Sequence, residues 1–188
     1  MSDVQVHSLL TDFDIDLFKS GKHYRLYEKL GSHLIEVDGI KGVYFAVWAP
    51  SANSVSVVGD FNYWKDGEHK LNVRWDSSGI WEGFIPGIQQ GDRYKYKIHS
   101  NNDGVVTEKA DPYALSCEHP PKTASVVWDL KYKWNDKDWM GYRKDKNALD
   151  KPYSVYEMHL GSWRKNIDED RSLTYVELAD ELVRYIKE

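Results

Sequence analysis

The fold of this 188-residue chain is decided by the stretch Gly42-Val-Tyr-Phe-Ala-Val-Trp-Ala-Pro-Ser-Ala-Asn-Ser-Val-Ser-Val-Val-Gly-Asp-Phe-Asn-Tyr-Trp64. Its first part, Gly42–Trp48, carries apolar side chains on both alternating faces, and Pro50 ends it. Its second part, Ser54–Val58, alternates valine with serine and is closed by Gly59. Short apolar or alternating runs that end at turn residues are typical of β-strands. The stretch therefore predicts two consecutive strands.

Further short strands are predicted on both sides of this stretch. They are Leu34–Val37, Leu71–Trp75, Ile80–Ile85, Arg93–Ile98, Val105–Glu108 and Ala124–Trp128. The dipeptide Asp38-Gly39 is a strong hairpin signal, and Asn101–Gly104 predicts another turn. Many short strands with regularly spaced turns favour a sandwich of two sheets. We therefore expect a mainly β fold across residues 33–128.

The two ends of the chain have a different character. Residues 1–32 predict a short helical lead-in, and residues 129–152 predict an irregular, charged linker. Residues 153–188 predict a buried strand, Tyr153–Leu160, followed by an amphipathic helix that begins at the capping box Thr174–Glu177. A parallel strand–helix unit needs neighbouring strands. We therefore interpret residues 153–188 as the beginning of a larger structure, because 188 residues fall short of a complete (β/α)8 barrel of about 200–250 residues.

Composition argues against several classes of function. The chain has 25 Lys and Arg residues, 30 Asp and Glu residues, a net charge of −5 and no basic run, which disfavours nucleic-acid binding. The longest apolar run is far shorter than the ~20 residues that span a bilayer, so no membrane association is expected. Cys117 is the single cysteine, which excludes an internal disulfide and a multi-cysteine metal site. We expect no metal, no cofactor and a cytoplasmic location.

The motif Trp-Ala-Pro-x-Ala-x-x-Val-x-x-x-Gly-Asp-Phe-Asn-x-Trp within the opening stretch resembles the start of carbohydrate-binding module family 48. Segments outside it resemble bacterial 1,4-α-glucan (glycogen) branching enzymes: Leu9–Asp14, Ala110–Ala114 and Tyr156–Arg164. Debranching enzymes and trehalose-releasing amylases share the sandwich. The sequences Asp12–Asp14 and Leu160–Trp163 favour branching enzymes over these relatives.

This resemblance implies an immunoglobulin-like β-sandwich followed by the first strand and helix of a truncated catalytic (β/α)8 barrel. The family cuts an α-1,4 bond and transfers the chain to a 6-hydroxyl, by a retaining mechanism that uses two carboxylates. Those carboxylates belong to later barrel strands, so we assign no catalytic residue to this chain and expect it to be inactive alone. The implied partners are α-1,4-glucan or glycogen and the missing barrel. The alternatives are a stand-alone glycan-binding adaptor and a debranching or trehalose-forming relative.

The resemblance also implies a sugar-binding surface on the sandwich. In glycan-binding members of the family, the Trp of the motif stacks on a glucose ring and a Lys on a later strand hydrogen-bonds the sugar. Trp64 matches the first position and Lys95 best matches the second. Such members usually carry a second aromatic residue where this chain has Val105 and Val106. The competing interpretation is that Trp64 packs into its loop and that the module is a scaffold for the barrel.

Three further residues are candidate sugar contacts. Asn62 is an alternative hydrogen-bonding group, although an Asn in this position often ties its own turn. His159 and Trp163 lie at or just beyond the C-terminal end of the predicted barrel strand. Active sites of (β/α)8 barrels form at that end of the strands, so both residues are expected on the substrate side of the barrel.

Overall fold

A computed structural model describes residues 4–102 and 104–188. Residues 1–3 of the predicted lead-in and Asp103 of the predicted turn lie outside the described residues. The chain forms two compact units, Met1–Tyr132 and Lys133–Glu188.

The first unit begins with a helix and continues as nine strands among its described residues. Helix α1 spans Asp12–Lys19 and is capped by Thr11, whose hydroxyl accepts from the Asp14 amide while the Asp14 carboxylate accepts from the Thr11 amide. The strands are β1 (Gly31–Val37), β2 (Ile40–Trp48), β3 (Ala52–Gly59), β4 (Asn72–Val73), β5 (Ile80–Pro86), β6 (Arg93–Ser100), β7 (Val106–Lys109), β8 (Ser116–Cys117) and β9 (Ser125–Val126). Single turns of 3-10 helix occur at Leu26–Glu28 and Asp60–Asn62.

The strands form two antiparallel sheets. One sheet has the order β1-β2-β5-β4, and the other has the order β3-β6-β9-β8 with β7 also paired to β6. The predicted hairpin at Asp38-Gly39 joins β1 to β2, and both residues have positive φ. The mainly β, antiparallel architecture is confirmed, and it agrees with the expected sandwich.

The main core lies between the two sheets. Val43, Phe45 and Val47 of β2 face Val55 and Val57 of β3 and the tyrosines of β6 in one buried cluster. The rings of Phe45 and Tyr94 meet edge to face with their centroids 5.0 Å apart. Burial of this cluster is the principal source of stability for the unit, because each fully buried large apolar side chain contributes about 1.5–3 kcal/mol.

A second core lies on the opposite face of β2. The lead-in contributes Leu10, Ile15 and Leu30, which pack with Tyr44 and Ala46 of β2. The lead-in therefore covers the outer face of the first sheet. As a result β2 is buried on both of its faces, which explains why its sequence is apolar at nearly every position.

A buried carboxylate links three parts of the first unit. The Oδ2 atom of Asp111 accepts hydrogen bonds from the hydroxyls of Tyr94 at 2.6 Å and Tyr96 at 3.2 Å. Its Oδ1 atom accepts from the Tyr113 amide at 2.8 Å. The backbone amide of Asp111 donates to the Ser125 hydroxyl. Burial raises the pKa of Asp111, although these hydrogen bonds oppose the rise.

The second unit contains three helices and a small hairpin. The helices are α2 (Lys137–Lys146), α3 (Leu160–Trp163) and α4 (Tyr175–Lys187), and the hairpin pairs β10 (Lys165–Asn166) with β11 (Arg171–Ser172). The predicted capping box is present at the start of α4. Arg171 donates to both carboxylate oxygens of Glu177, and this contact, with hydrogen bonds from Thr174, lowers the pKa of Glu177 to about 2.

Two predictions for the C-terminal part are wrong. The predicted linker 129–152 contains helix α2, which has no buried residue and therefore no apolar stripe that periodicity could detect. Its ends suit the helix dipole, with an acidic residue in the first turn and basic residues in the last. The predicted strand Tyr153–Leu160 is absent from the described structure. A strand requires a ladder partner, and residues 153–159 pair with none of the described strands.

Candidate functional site

The loop that follows β3 holds the candidate residues Asn62 and Trp64. After the 3-10 turn Asp60–Asn62, the chain passes through Tyr63 and Trp64 with φ of 53° and 60°. The Trp64 amide donates to the Gly59 carbonyl at 2.9 Å, and the Lys65 amide donates to the Asn62 carbonyl at 3.0 Å. Main-chain hydrogen bonds thus fix an uncommon left-handed conformation at two consecutive aromatic residues.

Asn62 lies beneath this loop. Its side chain is only 1% exposed. Its Oδ1 accepts from the Gly59 amide at 2.9 Å, and its Nδ2 donates to the Val57 carbonyl at 2.9 Å and lies 2.8 Å from His69 Nδ1. The expectation that Asn62 contacts sugar is therefore corrected: its amide is fully used inside the protein and holds the loop in place.

Trp64 is partly exposed at the surface, and its indole N–H group is hydrogen-bonded within the protein. Its side chain is 36% exposed, and its indole N–H donates to Asp60 Oδ1 at 3.1 Å. The other oxygen of Asp60 accepts from Arg93 Nε at 2.6 Å. Burial of Asp60 opposes ionisation, but the hydrogen bonds from Arg93 and Trp64 lower the pKa of Asp60 below its ordinary value. Asp60 is therefore ionised, and its two carboxylate oxygens connect Trp64 in the loop to Arg93 on β6.

Lys95 lies on the outer face of β6, in a row with two other cations. Arg93 is paired with Asp60 and with Glu118, the latter at 3.1 Å. Lys97 is paired with Glu108 at 2.8 Å. The Lys95 ammonium instead donates to the neutral hydroxyl of Thr123 at 2.8 Å. Among the described residues, Lys95 is thus the cation of this row with no carboxylate partner.

The chemistry of this face suits a polyhydroxylated ring. An indole offers a flat apolar surface, and an ammonium group supplies three hydrogen-bond donors. The face lacks the second aromatic residue expected near β7: Val105 and Val106 are both exposed, and Val106 pairs with His99. His99 is itself held by Asp66 at 2.7 Å.

His159 and Trp163 belong to the second unit and lie together at the short helix α3. The His159 Nδ1 atom lies 2.9 Å from the Ser162 hydroxyl. The Trp163 indole N–H donates to the Tyr156 hydroxyl at 3.0 Å, and the Arg164 guanidinium lies 4.5 Å from the Trp163 ring centre. The candidate residues thus form two separate groups, one in each unit.

Sequence reasoning missed three contributors to the first group. Asp60 and Arg93 position Trp64, but only the strand pairing brings them together. Tyr63 is 93% exposed beside Trp64. The signal for Tyr63 was available in the sequence, since it lies directly between the two candidate residues Asn62 and Trp64.

Residues 4–102 and 104–188, which the structure describes, contain no group of three or more His, Cys, Asp and Glu side chains that could hold a metal ion. In the same part of the chain, no helix has the length and apolar character required to cross a membrane.

The sequence of the first unit matches a known family. Residues 29–114 match the family described as "Carbohydrate-binding module 48 (Isoamylase N-terminal domain)". The match contains the motif that resembles this family and includes Asn62, Trp64 and Lys95.

Curated relatives match nearly the whole chain. A 1,4-alpha-glucan branching enzyme GlgB from Thermosynechococcus vestitus is 50% identical over 95% of this chain and 26% of the relative. The enzyme of the same name from Aquifex aeolicus is 51% identical over 96% of this chain and 29% of the relative. The chain thus spans little more than a quarter of the length of these relatives.

Solved structures are similar over a smaller part. Ligand-free PulA from Klebsiella pneumoniae matches with a TM-score of 0.45 and 27% identity, over 56% of this chain and 10% of that one. The family match and the alignments to curated relatives do not depend on that structure. Residues 29–114 match carbohydrate-binding module 48, and over 95% of its length the chain is about half identical to an N-terminal portion of 1,4-alpha-glucan branching enzymes.

Proposed function

We propose that this chain is the N-terminal, glucan-binding part of a cytoplasmic glycogen branching enzyme. Its immunoglobulin-like sandwich binds α-1,4-glucan on the outer face of β6 and its neighbouring loop. The relatives that support this proposal are enzymes named for 1,4-alpha-glucan branching. The complete enzyme cuts α-1,4 bonds and creates α-1,6 branches.

One observation carries the binding proposal: Asp60 fixes the Trp64 indole at the surface and also binds Arg93, which lies two residues before Lys95 on β6, and the Lys95 ammonium has no carboxylate partner among the described residues. Glucose rings present C–H patches that stack on indole, and their hydroxyls accept hydrogen bonds from ammonium groups. A stacked ring contributes about 1 kcal/mol beyond the area it buries. One platform therefore gives weak binding, with a Kd of roughly 1 mM.

The branching reaction itself is assigned to parts of the enzyme outside this chain. A retaining mechanism needs one carboxylate as nucleophile and a second as acid and then base. In our proposal residues 153–188 belong to the catalytic barrel and supply its first helix, α4, and His159 and Trp163 face its substrate. Helix α4 supports this assignment because it exposes Val183 and Ile186, which suits a helix that packs on a sheet.

The adaptor alternative has less support. An adaptor would need a C-terminal region with a core of its own. Within residues 133–188, all of which the structure describes, Leu178 is the single buried hydrophobic side chain. This region is more consistent with a segment that packs on further structure.

The glucan-binding proposal is tested by removing the indole. We expect the 188-residue chain to bind maltoheptaose with a Kd of roughly 1 mM, measured by titration calorimetry or protein NMR. The Trp64→Ala variant should show no saturable binding, because it lacks the stacking surface. Trp75→Ala is the matched control: Trp75 is 83% exposed, so its removal tests whether loss of any exposed tryptophan has the same effect. Unchanged affinity in Trp64→Ala would contradict the proposed site.

The assignment of catalysis elsewhere is tested by an activity assay. We expect the chain to form no new α-1,6 linkages when it is incubated with amylose, because the catalytic carboxylates are assigned to other parts of the enzyme. Proton NMR of the product distinguishes the anomeric signals of α-1,4 and α-1,6 linkages, and a complete branching enzyme serves as the positive control. New α-1,6 signals from this chain would contradict the assignment.

A further inference from the structure

Tyr63 is the most exposed aromatic side chain next to the proposed glucan site. It directly precedes Trp64, and 93% of its surface is accessible. Its hydroxyl makes no hydrogen bond within the described residues. A ring exposed in this way buries little apolar surface, so it adds little to the stability of the fold. Stability therefore does not explain why an aromatic residue occupies this position.

The backbone at Tyr63 adds to this argument. Tyr63 and Trp64 both adopt left-handed conformations. Residues in such regions cost of order 1–3 kcal/mol each and cluster at ligand-binding sites, where the surrounding structure holds them. Here the loop is held by the buried Asn62 amide and by the hydrogen bond from the Trp64 amide to the Gly59 carbonyl. The protein thus maintains a strained conformation that displays two aromatic rings.

The directions of the two side chains suit a curved ligand. Consecutive residues in a helical conformation project their side chains about 100° apart. Two rings at such an angle do not form one flat platform. Successive units of an α-1,4-glucan rotate relative to each other, whereas a β-1,4-glucan is a flat ribbon. Two rings set at an angle therefore suit two neighbouring α-1,4-linked glucose units better than two units of a flat β-1,4-linked chain.

We propose that Tyr63 forms a second glucose-binding subsite beside Trp64, and that it replaces the aromatic residue absent at Val105 and Val106. The subsite contacts the glucose unit next to the one stacked on Trp64, and it favours α-1,4- over β-1,4-linked glucan. This inference rests on the proposed glucan-binding function of the same loop.

The test compares two variants of Tyr63 in the full 188-residue chain. Tyr63→Asn removes the ring but keeps the loop, because asparagine tolerates the left-handed conformation. Tyr63→Phe keeps the ring and removes the hydroxyl. Tyr24→Asn is the matched control, since Tyr24 is 88% exposed in the lead-in. Binding of maltoheptaose and of cellohexaose is measured by titration calorimetry or NMR.

We expect Tyr63→Asn to weaken maltoheptaose binding about five-fold, while Tyr63→Phe and Tyr24→Asn change it less than about two-fold. The parent chain should bind cellohexaose much more weakly than maltoheptaose. Unchanged affinity in Tyr63→Asn with loss in Trp64→Ala would overturn the second subsite and leave the proposed function intact. An equal loss in Tyr63→Phe and Tyr63→Asn would also overturn it, because the ring would not be the contact. Absence of maltoheptaose binding by the parent chain would instead overturn the proposed function.

Discussion

An Asp111→Ala variant is expected to lose about 4 kcal/mol in the free energy of unfolding. The substitution leaves three donors without their acceptor: the hydroxyls of Tyr94 and Tyr96 and the amide of Tyr113. Each buried polar group left unsatisfied costs about 1–3 kcal/mol. Since the whole stability of a domain is about 5–15 kcal/mol, this loss is a large part of the total. Equilibrium urea unfolding measures it.

The Asp111→Asn variant separates the hydrogen bonds from the charge. Its carbonyl oxygen still accepts from the tyrosines, and only the hydrogen bond from the Tyr113 amide is lost because the asparagine NH2 group takes that position, so we expect a smaller loss of stability than in Asp111→Ala. Burial raises the pKa of Asp111 in the folded protein, so the folded state holds the proton more tightly than the unfolded state. The contribution of this group is fully present below the unfolded pKa of 3.8 and decreases as the pH rises through the folded value. The asparagine variant lacks that dependence.

The control for this prediction is Asp16→Ala, at an exposed position of α1. Surface substitutions of this kind change stability by less than about 0.5 kcal/mol. If Asp111→Ala unfolds at the same urea concentration as Asp16→Ala, the buried carboxylate does not stabilise the sandwich.

A Gly59→Ala variant is expected to lose about 3 kcal/mol of stability together with maltoheptaose binding. A Cβ atom added at Gly59 would lie 2.2 Å from the carbonyl oxygen of Arg93 on the paired strand and 2.6 Å from the Phe61 ring. The backbone of β6 cannot move away without breaking its ladder with β3. The same residue contributes its carbonyl to Trp64 and its amide to Asn62. Displacement of Gly59 would therefore also shift the loop that positions the Trp64 indole, which is why loss of binding is expected.

Gly141→Ala is the matched control for this substitution. Gly141 lies in helix α2, and apart from its chain neighbours and the backbone of its own helix no atom lies within 4 Å of an added Cβ. Alanine in an exposed helix is more favourable than glycine by about 1 kcal/mol, so no destabilisation is expected there. Urea unfolding and maltoheptaose titration of both variants check the prediction. A Gly59→Ala chain with parental stability and affinity would show that the loop tolerates the displacement.

The long strands could be predicted from the sequence because their patterns are physical requirements of a two-sheet core. Strands β2, β3, β5 and β6 each lie close to their predicted positions. Strands β4 and β9 lie within the predicted strands Leu71–Trp75 and Ala124–Trp128 but are only two residues long. Strand β8, also two residues long, was not predicted because it is too short for alternation to define. Helix α2 has no apolar stripe, and residues 153–159 depend on ladder partners that the described chain does not supply. The periodicity of apolar residues indicates which side chains are buried. It therefore cannot predict elements, such as helix α2, whose formation does not depend on burial.

The candidate site was predictable only in part, for a related reason. Trp64 and Lys95 follow from the family motif and from the alternation of β6. The roles of Asn62, Asp60 and Arg93 depend on which side chains meet across the loop and the strand. The residue type of Asn62 suggested that it ties its own turn, but no local pattern shows that Tyr63 next to it is exposed while Asn62 is buried. That distinction arises from the left-handed turn, which the residue types alone do not specify.

The double burial of β2 leaves this strand open to slippage during folding. In a strand with one polar face, a shift of one residue is opposed because it buries polar groups. In β2 such a shift would exchange Val43, Phe45 and Val47 for side chains that are also apolar, so hydrophobicity alone hardly opposes it. Gly42 supplies the missing alignment: a Cβ atom there would lie 2.4 Å from the Ile85 carbonyl oxygen and 2.7 Å from the Phe84 ring. A misaligned β2 would place a bulky neighbour in that space, so a residue with no side chain selects the correct pairing.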